Sequence, residues 1–330
     1  MRTPPPLDLD VLHVALRNGW GLAVRSLEYA PLGFGSYHWI ASGEGGTRRF
    51  ITVDDLTMKR LPGGRGDAYT ALGRAFRSAL ALYRGGLDFV VAPLPGQTGA
   101  VVQRLGRRFS VAVFPFVEGR VSPGGEFESD ADRITVTERV RELHRATALV
   151  GGIPGSEDFA LPWRDELEGS LRQLGTPWIE GPYGEPARRL LQDRAAQVRD
   201  ALAVYDRLIS QVRTQDPAFV ITHGEPHAGN VIFTEDGPRL IDWDSALLAP
   251  PARDLWMLSA PHAEESETLL LYRLWWELAE IGGYVAAFCR PHAGNEDAAE
   301  AWQNLRGFIR LGTLEAARGA LPSKPGSAGL

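Results

Sequence analysis

Glu225, Asn230 and Asp242 are the residues of this 330-residue chain whose types and spacing point most directly to chemistry. They lie in His223-Gly-Glu225-Pro-His-Ala-Gly-Asn230 and, twelve residues further on, in Ile241-Asp242. A carboxylate on a polar loop can point at an incoming hydroxyl. An Asn and an Asp supply oxygen ligands of the kind Mg²⁺ takes alongside nucleotide phosphates. A carboxylate, then an Asn five residues on, then an Asp after a hairpin, is a spacing suited to phosphoryl transfer.

These residues need elements to hold them. Phe219 to Thr222 reads as a short buried strand, apolar and β-branched, and His223 to Gly229 as a loop punctuated by Gly and Pro. Val231 to Thr234 is a second strand, Glu235 to Pro238 a turn, and Arg239 to Ile241 a third strand. Such a hairpin returns the chain to its start, so Asn230 and Asp242 should face each other at its open end. His223-Gly-Glu225 also fits half of a zinc nucleobase deaminase signature. The partner Pro-Cys-x-x-Cys is missing, since the one cysteine is Cys289, and His227 adds no complete zinc set.

Composition bounds the remainder. With 44% hydrophobic residues the chain can bury a large core in one or two domains. A net charge of −6 argues against nucleic acid and suits a cationic small molecule as partner. One cysteine fits a reducing cytoplasm, and Met1 to Asp10 has no apolar segment of a signal peptide. No apolar run of 18 residues predicts a membrane span, so the protein is expected in the cytoplasm, as a monomer or homodimer. Neither a Walker-type phosphate loop nor a Gly-x-Ser-x-Gly elbow occurs.

Along the chain, Leu7 to Asn18 predicts a helix ended by Gly19, followed by strands at Val24 to Ala30, Tyr37 to Ala41 and Arg49 to Val53. Gly33-Phe34-Gly35-Ser36 joins the first two strands, and its glycines let backbone amides approach phosphates. A helix follows from Asp67 to Arg84, then strands at Phe89 to Ala92, Gly99 to Arg104 and Ser110 to Phe114 complete a small antiparallel sheet. From Asp130 the pattern turns helical: Asp130 to Leu149, Trp163 to Leu174, one long helix from Pro186 to Arg213, Asp254 to Ser259, Glu265 to Phe288 and Asp297 to Arg318.

Residues 219 to 256 resemble the aminoglycoside phosphotransferase and choline kinase family, whose brace motif runs His-Gly-Asp, four residues, Asn, and later Ile-Asp. Trp243-Asp244, Leu248-Ala249-Pro250 and Arg253-Asp254-Leu255 are similar to the spectinomycin phosphotransferase branch. The resemblance implies an α+β, two-lobed protein-kinase-like fold, an N-lobe over 1–118 and a helical C-lobe over 119–322, while the Pro, Gly and Ser of 323–330 predict a flexible tail. It implies ATP or GTP with Mg²⁺ as cofactors and phosphorylation of an aminoglycoside or aminocyclitol hydroxyl. His223 would brace the loop, Glu225 would take the base position, and Asn230 and Asp242 would hold metal. Asp254 would stand behind the loop, and His144 in Leu143-His144-Arg145 would pack beneath it. Gly33, Phe34, Gly35 and Ser36 would cover the phosphates, with Thr52, Phe116 and Glu118 also toward the nucleotide. The acceptor would meet Asp244, Glu265 and Trp275, from a wider set including Glu264, Glu267, Trp276 and Glu277.

The chain departs from that pattern twice. Glu225 stands where the family has Asp. Thr52 stands in the slot of the strand lysine, and the following helix lacks the Glu that would pair with it. Lys59, Arg74 and Arg77 are the candidates to restore the charge. A metabolic kinase of choline, a sugar or an amino alcohol, and a pseudokinase that binds without turnover, stay open as alternatives.

Overall fold

The computed structural model describes residues 1–61, 67–122, 125–259, 266–310 and 312. Glu264, Glu265 and the expected tail at 323–330 lie outside the described residues. The chain divides into two compact units, 1–160 with 218–262 and 161–217 with 263–330.

The first unit opens with α1 (Leu9–Trp20), capped by the Asp8 carboxylate on the Asp10 amide. Its end is Gly21 and not Gly19: Gly21 takes the left-handed φ of 68° that closes a helix, while Gly19 is buried within the last turn. Strands β1 (Val24–Ala30), β2 (Tyr37–Gly43) and β3 (Arg48–Asp55) follow, then α2 (Ala68–Arg84), whose first turn Asp67 caps through the Thr70 amide. With β4 (Gln103–Leu105) and β5 (Phe109–Pro115) these strands form an antiparallel sheet in the order β1-β2-β3-β5-β4.

Alternation along β3 and β5 builds two cores. Ile51, Val53, Val111 and Val113 pack with Leu12 and Leu16 of α1 on one face. Phe50, Ala112 and Phe114 join Leu72, Phe76 and Leu82 of α2 on the other. Side chains alternate across a strand, so Thr52 and Asp54 share the Phe50 face. The segment Phe89 to Ala92 is no strand of this sheet. It reaches the hairpin of β9 and β10 instead, where Val91 N–H donates to the Leu240 carbonyl and Leu240 N–H to the Phe89 carbonyl.

The chain continues through β6 (Arg120–Val121), α3 (Asp130–Arg145) and β7 (Gly155–Ser156). It then enters the second unit with α4 (Arg164–Arg172), α5 (Gly184–Asp193) and α6 (Ala195–Gln215). The single helix expected over 186–213 is thus two, parted at Arg194, whose ψ of 7° departs from helical geometry. On return to the first unit come β8 (Val220–Thr222), β9 (Val231–Thr234), β10 (Gly237–Leu240), β11 (Leu247–Ala249) and α7 (Ala252–Leu258). Strand β8 pairs with β11 rather than with the hairpin, and β9 lies between β10 and β6. The second unit closes with α8 (Glu267–Phe288) and α9 (Glu296–Phe308). Arg164 ties α4 to α6 through a two-pronged bridge to Asp206, at 2.6 and 2.8 Å.

Candidate active site

The loop after β8 is held from behind. Asp254, fully buried at the start of α7, accepts from the backbone N–H of His223 (3.1 Å) and Gly224 (2.6 Å) and from His144 Nε2 (2.8 Å). Burial works to raise its carboxyl, but the His144 hydrogen bond and the nearby positive Arg253 hold it below the ordinary range. Arg253 donates to Thr222 Oγ1 (2.9 Å) and to the Ser245 carbonyl (3.0 Å), and lies 3.7 Å from the buried Glu157. Gly224 has a φ of 101°, and a Cβ there would lie 2.6 Å from the Arg253 guanidinium and from Ser245 Oγ. Only glycine fits both the angle and the space.

His223 locks the loop to the hairpin. A carbonyl only accepts, so Nε2 carries the proton and donates to Ile241 at 2.8 Å; an amide only donates, so Nδ1 is bare and accepts from Glu225 N–H at 3.2 Å. Burial lowers the pKa of this ring, in keeping with a neutral imidazole that packs edge-on against the buried Trp243, 4.6 Å between centroids. His223 therefore ties the loop to the hairpin through both ring nitrogens.

Strands β9 and β10 pair antiparallel around Glu235-Asp236, and Ile241 N–H donates to the Asn230 carbonyl at 3.0 Å. That bond closes the open end of the hairpin and brings Ile241, the residue before Asp242, onto Asn230. The Asn230 Nδ2 group donates to the Glu225 carbonyl at 3.0 Å, which turns Oδ1 away from the loop backbone. Asp242 has a φ of 64°, a left-handed backbone that costs a non-glycine residue about 1–3 kcal/mol and persists where its surroundings over-determine it. Its side chain opens to solvent, yet the surrounding protein and then the negative Asp244 push its carboxyl up to about 7, against the pull of Lys59. Two oxygen donors of this kind fit a hard cation whose other ligands are phosphate oxygens and water. Among the described residues no group of three or more His, Cys, Asp or Glu is placed to hold a metal by itself.

Facing the hairpin is a cation that sequence reasoning had named only among several. Lys59 Nζ lies 2.6 Å from Asp54 Oδ1, 2.6 Å from Asp244 Oδ2 and 2.9 Å from Ser36 Oγ. Burial opposes its charge, but Asp244, Asp54 and Asp242 more than offset this and raise its pKa above the ordinary value. Sequence reasoning does not single out Asp54, whose signal is a pair of acids, Asp54-Asp55, closing β3 after Phe50 to Val53. Thr52, in the lysine slot, meets His38 Nδ1 at 3.3 Å, and burial takes that histidine down to about 4.

The other candidates are placed as follows. Gly33 and Gly35 have φ values of 62° and 98°, Phe34 is exposed, and Ser36 is buried with its hydroxyl on Asp54 at 2.7 Å. Arg48 covers the Phe116 ring at 3.6 Å and meets the exposed Glu118 carboxylate at 3.1 Å. Trp275 and Trp276 of α8 are both half-buried in the second unit, where Glu277 is buried and the exposed Glu267 accepts from Gln211 and Gln215 of α6.

Comparison with known proteins agrees with this geometry. The model of the APH phosphotransferase enzyme family matches residues 40–308. Protein StrN of Streptomyces griseus is 34% identical over 249 residues, 71% of this chain and 76% of that protein. Among solved structures, spectinomycin phosphotransferase APH(9)-Ia in complex with ADP and spectinomycin superposes with a TM-score of 0.71 at 16% identity, covering 95% of this chain and 98% of that one. A microcompartment-associated aminopropanol kinase follows at a TM-score of 0.58 and 15% identity, covering 94% and 99%. The fold is the α+β, kinase-like one that the resemblance implied. The chain belongs to the APH phosphotransferase enzyme family and is an ATP-dependent kinase with an alcohol group as acceptor.

Proposed function

We propose that the acceptor is a cationic small molecule, an aminoglycoside or aminocyclitol antibiotic, which the protein inactivates by O-phosphorylation. The observation that carries the phosphoryl-transfer part is the closure of the hairpin by Ile241 and Asn230 next to a loop pinned by His223 and Asp254. On this reading residues 1–118 cover the nucleotide, and residues 119–322 carry the catalytic loop and the acceptor. Gly33 to Ser36 lie over the phosphates, and Thr52 and the Phe116 to Glu118 segment border the nucleotide. Asn230 and Asp242 hold Mg²⁺, which when bound offsets charge on the phosphate oxygens. Glu225 orients the acceptor hydroxyl; a loose transition state asks the carboxylate mainly for position. Asp244 and Trp275 contribute to acceptor binding, as does Glu265.

Support for an antibiotic acceptor comes from the similarity to the spectinomycin phosphotransferase and from the net charge of −6, which favours a cation. Support for a cytoplasmic setting is the single cysteine and, among the described residues, no helix long and apolar enough to cross a membrane. The test is nucleoside diphosphate release with Mg²⁺ and ATP or GTP against spectinomycin, aminoglycosides, choline, amino alcohols and sugars, with Asp242→Ala as the blank. Turnover dependent on an aminocyclitol or aminoglycoside is the expected result. Turnover with choline, an amino alcohol or a sugar alone would replace the antibiotic by a metabolite. Nucleotide binding without turnover on any acceptor would favour a pseudokinase.

A further inference from the structure

We propose that Lys59, carried on the turn after β3, is the ammonium that meets the nucleotide's phosphates, with Asp54 as its fixed partner and Asp244 as the partner it gives up when they arrive. This rests on the phosphotransferase reading and assigns the charge that β3 and α2 do not supply. Strand β3 offers Thr52 on the face it shares with Phe50, and α2 contains no Glu to hold a lysine there. The chain has two lysines, and the other, Lys324, lies outside the described residues.

Local geometry explains how a residue beyond the strand reaches the site. Strand β3 ends at Asp55, whose carboxylate accepts from Thr57 N–H (3.0 Å) and Oγ1 (2.7 Å) and is anchored by Arg108 at 2.7 Å. The Asp55 carbonyl accepts from the amides of Met58 and Lys59, both at 3.1 Å. This tight turn folds Lys59 back over the end of its own strand, on the face that Asp54 shares with Thr52. A strand lysine and a helix glutamate are thus replaced by a lysine and an aspartate five residues apart. The pair forms within one turn and does not depend on the placement of α2.

An ammonium has three N–H donors, and here all three are engaged, by Ser36, Asp54 and Asp244. A phosphate oxygen can enter only by exchange. Asp54 is 1% exposed and Asp244 14%, so the outer carboxylate is the one displaced. Asp54 Oδ2 is buried and has no hydrogen-bond partner, so its carboxylate depends on the one bond to Lys59 and the one to Ser36. Ser36 closes the Gly33–Ser36 loop, so the same ammonium touches the loop proposed to cover the phosphates and the segment carrying Asp242.

Calorimetric titration with adenosine and ADP without metal, then with ATP and Mg²⁺, tests this on the wild type, Lys59→Met and Asp244→Asn proteins. Lys59→Met is expected to weaken ADP binding roughly 10- to 100-fold, the scale of lost hydrogen bonds to a charged group, and to leave adenosine binding unchanged. Asp244→Asn is expected to strengthen metal-free ADP binding several-fold, because the competing carboxylate is gone. Adenosine binding by Lys59→Met also reports that the variant is folded; should it fail to fold, Asp244→Asn carries the test alone. Equal losses for adenosine and ADP would give Lys59 a structural role only and overturn the proposal, as would weaker ADP binding by Asp244→Asn. A wild-type protein that binds neither nucleotide would overturn the phosphotransferase reading itself, a failure distinct from these.

Discussion

Two charged clusters border the segment from β8 to α7, one around Asp254 and one around Lys59, and they are built differently. In the first, Asp254 and Glu157 face Arg253 and His144. Both Asp254 oxygens accept hydrogen bonds, and the loop's own amides are among the donors. In the second, Asp54, Asp242 and Asp244 surround the single ammonium of Lys59. The first cluster serves as a brace because it binds the loop's own amides, although Glu157 Oε2 within it is buried without a hydrogen-bond partner. The second cluster holds an excess of negative charge at the cost of a raised Asp242 pKa and an unpartnered Asp54 oxygen. That excess is what the proposed metal and nucleotide phosphates would balance.

If this contrast is right, damage should separate the same way. The largest effect on stability is expected for Asp254→Ala, which strands two loop amides and His144 in a buried position. A loss of about 3–5 kcal/mol in urea unfolding is expected, the range for breaking a buried charged pair. A loss below about 1 kcal/mol would erase the distinction between brace and binding cluster. This contribution has a pH signature: because the folded carboxyl sits below its ordinary value, its stabilisation is present at neutral pH and is lost as pH falls through the acid range.

Asp242→Ala should do the reverse, abolishing turnover while sparing the fold. A fall of at least about 10²–10³ in kcat is expected, the scale of removing one group that stabilises developing charge. The stability sign is opposite to that of Asp254. An unfolded Asp releases its proton near 3.8 and the folded Asp242 only near 7, so the wild type loses stability as pH rises between these values. Asp242→Asn should therefore gain on the wild type across that window in thermal unfolding. An equal offset at every pH would mean that Asp242 carries no such burden.

Glu225→Asp sharpens the comparison at the loop itself. Shortening the side chain withdraws the carboxylate by roughly 1.5 Å, and misplacement on that scale lowers kcat about 100-fold without disturbing the brace. A faster Glu225→Asp enzyme would mark the wild-type site as a decayed one. The smallest effect is expected for Glu118→Ala, whose ion pair with Arg48 is in solvent: about 0.5 kcal/mol or less in urea unfolding.

Much of the first unit was legible because its signals are local. The span of β9 follows from its β-branched run and that of α2 from its Asp cap, and the return of Ile241 to Asn230 follows from hairpin geometry alone. Errors fell where partners distant in sequence decide. Phe89 to Ala92 has the composition of a strand, yet its amides bond Leu240 in place of the sheet. Strand β11 is three residues long, too short for periodicity to register, and exists because β8 and β7 flank it. The division of the long helix at Arg194 leaves no Gly or Pro to announce it.

The sequence by itself determined the chemistry at hand: a carboxylate, an amide and an acid in the order and spacing of phosphoryl transfer, on a loop and hairpin whose turn residues dictate their return. It also determined that the strand lysine and its helix glutamate are both missing. Only the tertiary structure decided which charge replaces them. Lys59 reaches Asp54 through a local turn, but Asp244 is 185 residues away along the chain, and no spacing rule joins them. The same holds for Asp254 and His144, brought together at 2.8 Å across 110 residues. Backbone propensities act over a few residues. The pairing of buried charges is settled by burial itself, which makes an unpaired partner too costly to leave.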